Sequence, residues 1–167
     1  MPDICDLILD EHEALRRHFA ELDRERESSP EVVEGLWTPV AKLLVLHAAA
    51  EEHVFYPSLL ATGSRAKQET EDAIQDHNDI RDAVSRAGQA TPGSHEWWQA
   101  VLRAREQNSE HMAEEERGAI ADLRTHASSA EREELGANWA RFRDQHSALG
   151  GVPLADKDPG RYLKDPR

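Results

Sequence analysis

The residues best able to do chemistry are His12, the pair His47-x-x-x-Glu51, His77 and the pair His111-x-x-x-Glu115. Each falls on an apolar stripe. His12 shares a face with Ile8, Leu15 and Phe19, and His47 with Val40, Leu43 and Val54. His77 lies among Ile74, Ile80 and Val84, and His111 on the face of Val101 and Ala104. Residues four apart on a helix sit about 6 Å apart at Cβ, so each His–Glu pair can grip one cation or two adjacent ones. Polar groups left unpaired in a core are strongly destabilising, and a bound cation removes that cost. Imidazole and carboxylate without thiolate suit iron, manganese or zinc. Six protein ligands exceed the four of one structural zinc and suit two octahedral ions bridged by glutamates.

The elements that position these residues are helices. Ala, Glu, Leu and Arg dominate, strand-type Val/Ile/Thr runs are missing, and Gly and Pro gather in a few breaks. The breaks predict helices over about Asp3–Glu27, Glu31–Ala61, Arg65–Ala87 and Ser94–His126, with a shorter fifth over about Ala130–His146. Ser29-Pro30 and Ser94 read as helix starts, and Pro39 and Pro57 as kinks or turns at the ends of the second block. Four long helices with short connections fold most economically as an up-down-up-down four-helix bundle, with the short fifth helix across one end or side. Residue counts give an independent check of level. His12 and His47 each lie about 22–24 Å from their shared loop at 1.5 Å per residue, and His77 and His111 match within about two turns. Antiparallel packing thus brings all four histidines to one height.

The remaining histidines have no such placement. His18 and His53 are about 120° off the faces of His12 and His47. His95, His126 and His146 fall at helix ends, and Glu114 and Glu116 point to either side of Glu115. Arg81 stands four residues after His77, where a further ligand would fit.

Bulk properties set the frame. The chain of 167 residues suits one domain, expected over 1–147, followed by a Gly-, Pro- and charge-rich tail over 148–167 expected to be flexible and disordered. A net charge of −13 argues against a nucleic-acid partner, which needs clustered Lys and Arg. Cys5 is the single cysteine, so neither an intrachain disulfide nor a thiolate cluster can form within one chain. The acidic N-terminus does not read as a signal peptide, and the apolar run Pro39–Ala50 reads as too short for a membrane span. These features predict a soluble, reduced, cytoplasmic protein.

At His12, His47-x-x-x-Glu51, His77 and His111-x-x-x-Glu115 the sequence resembles the haemerythrin-like, HHE cation-binding family over most of residues 1–126, and "EEHVFYP" is similar to the end of the family's second helix. The Glu-x-x-His pattern of ferritin-like proteins differs. The resemblance implies a four-helix bundle around a non-haem di-iron centre of two iron ions. His12 and His47 would hold one iron, His77 and His111 the other, with Glu51 and Glu115 bridging. The oxygen-carrying members have a histidine where this chain has Arg81, and His-x-x-x-x-Asp where it has His111-x-x-x-Glu115. The resemblance therefore implies an iron open to dioxygen, peroxide or nitric oxide, and catalase- or peroxidase-like chemistry rather than oxygen carriage. A non-catalytic sensor of oxygen, nitric oxide or iron is the alternative. Arg81 has two readings, a surface salt bridge or a cation facing a bound peroxide anion.

Overall fold

The computed structural model describes residues 2–150, 152 and 155–166. Part of the tail expectation therefore lies outside the described residues, at Gly151, Pro153, Leu154 and Arg167.

Helix starts follow local chemistry. Helix α1, Ile4–Arg24, begins where the Asp3 carboxylate accepts from the Cys5 N–H at 2.9 Å. Helix α2, Pro30–Ala50, begins with proline in its first turn, where the missing N–H costs nothing. A π-helical turn over Glu51–Phe55 joins it to α3, Tyr56–Thr62, so the second block is one continuous rod. Pro39 sits inside α2 without ending it. Helix α4 spans Ala66–Gln89, and α5, His95–Arg117, is capped by Ser94. The expected fourth block does not run unbroken to His126. Gly118 (φ −107°, ψ −88°) separates α5 from α6, Ala119–His126, and a Cβ there would lie 2.9 Å from Glu69 Oε1. Helix α7, Ser129–Gln145, opens with a reciprocal Ser128–Glu131 capping box. No strand occurs among the described residues.

Within the described part of the tail, α8, Pro159–Tyr162, packs against α4 and buries Tyr162. The apolar stretch is longer than the run Pro39–Ala50, because the rod Pro30–Thr62 is long and apolar enough to cross a membrane by length and composition alone. That rod nevertheless buries His47, Glu51 and Glu52 inside the helical bundle and packs on α1, α4 and α7.

The buried apolar residues form two clusters. One gathers Ile4, Ile8, Phe55, Leu59, Ile74, Ile120 and Trp139; the other gathers Leu15, Phe19, Trp37, Leu44, Ile80 and Trp97. In α1 the boundary between them falls at His12, between Ile8 and Leu15; in α4 it falls at His77, between Ile74 and Ile80. A polar layer is thus closed between two apolar ones, where an unsatisfied polar atom carries its full desolvation cost.

Candidate metal centre

The second rod shapes the layer. Tyr56 N–H donates to Glu51 C=O five residues back, one more than an α-helix allows, and Pro57 behind it has no N–H to offer. The extra residue in this turn lets Glu51 and Glu52, adjacent in sequence, both face the interior. They face different partners there.

All six expected ligand residues are buried together: His12, His47, His77, His111, Glu51 and Glu115. They form two donor groups, His12–His47–Glu51–Glu115 and Glu51–His77–His111, which share Glu51. Glu51 Oε1 lies 2.8 Å from His47 Nε2, while its Oε2 lies 3.0 Å from His77 Nε2. Glu115 turns a single oxygen inward, Oε2 at 3.2 Å from His12 Nε2 and 4.0 Å from His111 Nε2. Its Oε1 is taken by the Tyr56 hydroxyl at 2.9 Å. His77 and His111 bring their Nε2 atoms within 3.2 Å of each other.

Behind each imidazole stands a carboxylate. His12 Nδ1 is 2.8 Å from Glu116, His47 Nδ1 is 2.9 Å from Glu11, His77 Nδ1 is 2.9 Å from Glu52, and His111 Nδ1 is 3.4 Å from Asp76. An ionised carboxylate only accepts, so each Nδ1 carries the proton and, in a neutral ring, Nε2 turns its lone pair inward. These partners form a closed cycle. Glu11 of α1 holds His47 of α2, Glu52 of the π turn holds His77 of α4, Asp76 of α4 holds His111 of α5, and Glu116 of α5 returns to His12 of α1.

The electrostatics follow from this crowding. Burial disfavours a charged His47, but Glu51 and Glu11 outweigh it and raise its pKa to about 10. His111 is raised the same way, against burial, by Asp76 and Glu51. Burial pushes Glu51 up, and His47, His111 and His77 carry it well below the usual carboxylate range. Glu52, also opposed by burial, is held at about 2 by His77, Arg81 and Lys157. Tyr56 is raised by burial and by Glu115, so its hydroxyl keeps its proton. Carboxylates held ionised in this layer attract a cation, and a metal would take the place of protons on the imidazoles.

A metal fits on local grounds. His12 Nε2, His47 Nε2, both oxygens of Glu51 and Glu115 Oε2 are buried without a hydrogen-bond partner. Several lie within 3.2 Å of one another, yet they point at a common space rather than along a donor–acceptor line. Convergent, unsatisfied imidazole and carboxylate atoms without thiolate are the donors of a transition-metal site. Cys5 takes no part; it is buried elsewhere, and desolvation pushes its thiol to about 12.

The sequence reading placed some neighbours correctly and missed others. His53 and His95 are exposed, and His18 is half-buried outside both donor groups. Arg81 fits neither of its two readings. It is 5% exposed, and its terminal nitrogens donate to Glu52 Oε1 at 2.8 Å and Asn78 Oδ1 at 2.6 Å, so it braces the carboxylate behind His77. Glu116, set aside as pointing away, is the partner of His12. Glu11, Glu52, Asp76 and Tyr56 were not foreseen. The available signal was the carboxylate next to a ligand in the chain: Glu11–His12, Glu51–Glu52, Asp76–His77 and Glu115–Glu116.

A helical bundle that closes a convergent His/Glu layer between two apolar clusters belongs to the class of metal-binding helical domains. Residues 3–123 match the Hemerythrin HHE cation binding domain, and the chain belongs to that family. No curated protein and no solved structure matches the chain.

Proposed function

We propose that this chain holds two non-haem iron ions and handles dioxygen or peroxide at them. The observation that carries the reading is the set of buried, unpartnered donor atoms on His12, His47, Glu51 and Glu115, continued by the Nε2 atoms of His77 and His111. In this reading the four long helices run up-down-up-down. His12 and His47 serve one ion, His77 and His111 the other, and Glu51 bridges, which its two oxygens facing opposite histidine pairs support. Glu115 reaches both sides through one oxygen.

When bound, the iron pair supplies the electrons for redox chemistry on a small oxygen species. The protein does the rest. The carboxylates behind Nδ1 fix each ring and strengthen its donor atom. Tyr56 keeps its proton and pins Glu115 Oε1, so only Oε2 is offered inward. A cleft of about 390 Å³, lined in part by Tyr56, Asp76, His111 and Glu115, leads to the His77–His111 side and gives a small ligand its approach. A soluble, cytoplasmic setting belongs to the same proposal.

Protein produced with iron supplied should carry close to two equivalents by elemental analysis and consume peroxide. Iron near zero would overturn the reading. Two irons that bind nitric oxide or dioxygen without consuming peroxide would favour the sensor.

A further inference from the structure

Of the four carboxylates behind the histidines, Glu52 is the one held from the C-terminal segment. It is 1% exposed, and its Oε1 takes both His77 Nδ1 at 2.9 Å and Arg81 at 2.8 Å. Its Oε2 is buried without a hydrogen-bond partner, and its ion-pair partner is the Lys157 ammonium at 2.8 Å. Its backbone carbonyl accepts from the Tyr162 hydroxyl. Lys157 and Tyr162 lie beyond residue 123, where the matched domain ends. The segment that carries them is tied down: Asn78 donates to the Lys157 carbonyl at 2.7 Å and accepts its N–H at 2.9 Å. The same Asn78 oxygen accepts from Arg81. One side-chain amide thus fixes the Lys157 backbone beside the guanidinium that shares its target. The burial of Tyr162 and the cation over its ring, Lys157 Nζ at 5.4 Å from the centroid, complete the contact.

We infer that the C-terminal segment is a working part of the metal centre: Lys157 and Tyr162 are positioning residues that lock Glu52, and through it hold His77 Nε2 on its cation. A buried carboxylate with one uncompensated oxygen rotates toward whatever donor is left, and the ring hydrogen-bonded to it turns as well. Glu11 and Glu116 are instead held by residues of α7 and α1, Arg143 and Arg16. The segment therefore sets cation affinity on the His77–His111 side and leaves the His12–His47 side alone.

This inference rests on the metal-binding proposal, and cobalt(II) titration followed by visible absorption separates the two. The full-length parent is compared with Lys157→Met, Tyr162→Phe, their combination, Lys157→Arg, and Lys164→Met as a control on an exposed residue. The combined variant should weaken one of two equivalents by about tenfold, the usual scale for losing a partner behind a metal-bound histidine. The other equivalent should be unchanged. Lys157→Arg should restore most of the loss, and Lys164→Met should do nothing. In a His77→Ala background the combined change should add no further loss, whereas in a His12→Ala background it should weaken the remaining site. Equal weakening of both equivalents would show a merely structural role and overturn the inference, as would titrations identical to the parent. A parent that takes up no cobalt overturns both proposals, whereas a parent that loads normally beside unaffected variants overturns this one alone.

Discussion

The two halves of the donor layer share Glu51 and differ in almost everything around it. On the His12–His47 side, α7 lays Trp139 against the His47 ring, with centroids 5.7 Å apart, and Glu11 is gripped by the Trp139 N–H and Arg143. On the His77–His111 side, Asp76 is about one-third exposed and lines an open cleft together with His111 and Glu115. Similar ligands are therefore set in one half walled by α7 at His47 and one half that borders a cleft at His111, while Glu116 behind His12 and Asp76 behind His111 are both partly exposed. A closed half can hold a cation against exchange, and an accessible half can meet a small ligand. Pre-organisation and access conflict at a single site, and splitting them across a shared carboxylate resolves the conflict.

The largest expected effect is loss of the shared group. Glu51→Gln keeps the volume but removes the charge that faces both halves, and metal content should fall from near two equivalents to below one. A variant that still carries two would break the idea of a shared carboxylate.

Next come the single histidines. His47→Ala should empty the closed half and destabilise the fold by about 2 kcal/mol, because Glu11 and Glu51 lose a buried partner. His111→Ala should remove only the accessible cation. His53→Ala, on an exposed residue, should leave metal content as it was. Denaturant unfolding with elemental analysis reads all three, and loss of both cations from His111→Ala, or of neither from His47→Ala, would contradict the division into two halves.

A smaller change sharpens the comparison. Tyr56→Phe frees Glu115 Oε1 beside the cleft. Because Glu115 Oε2 lies 3.2 Å from His12 and 4.0 Å from His111, release of both cations to a chelator should quicken, by about tenfold where Glu115 is nearer. Unchanged release in both phases would show that Glu115 holds neither cation.

The smallest effect lies outside the layer, in the apolar cluster that includes Ile4, Ile8 and Trp139. Cys5 is raised from 9.0 to about 12, chiefly by burial and then by Asp3, so the folded chain keeps a proton there that the unfolded chain loses. Its contribution is full below pH 9 and fades as pH rises toward 12. By pH 10 the loss should be about 1 kcal/mol. Unfolding of the parent and of Cys5→Ala at pH 7 and pH 10 tests this. An equal pH drop in both would assign the effect elsewhere.

Helical periodicity made the inward set legible, because His12, His47, His77 and His111 each interrupt an apolar stripe of period 3.6. Counting residues from the loops placed them at one height. The carboxylates behind them were not legible. Each sits next to a ligand in the chain, about 100° round the helix, and which neighbouring histidine it meets is decided by packing. Thus Glu116 serves His12, and Glu52 serves His77. The π turn hid the inward direction of Glu52, since one extra residue shifts the phase without changing composition. Arg81 misled for a related reason. Its charge suggested solvent or a bound anion, but a buried guanidinium finds the nearest buried carboxylate, and that is Glu52. The tail gave no signal because its order comes from contacts with Asn78 and Glu52, far away in the chain.

The central claim is that two cations sit on either side of Glu51. Anomalous diffraction at the iron edge, from crystals of protein loaded with iron(II), tests it most directly. Two peaks are expected, one among His12, His47 and Glu51 and one among His77, His111 and Glu51, with Glu115 reaching toward both. A single peak, or none within this layer, would contradict it.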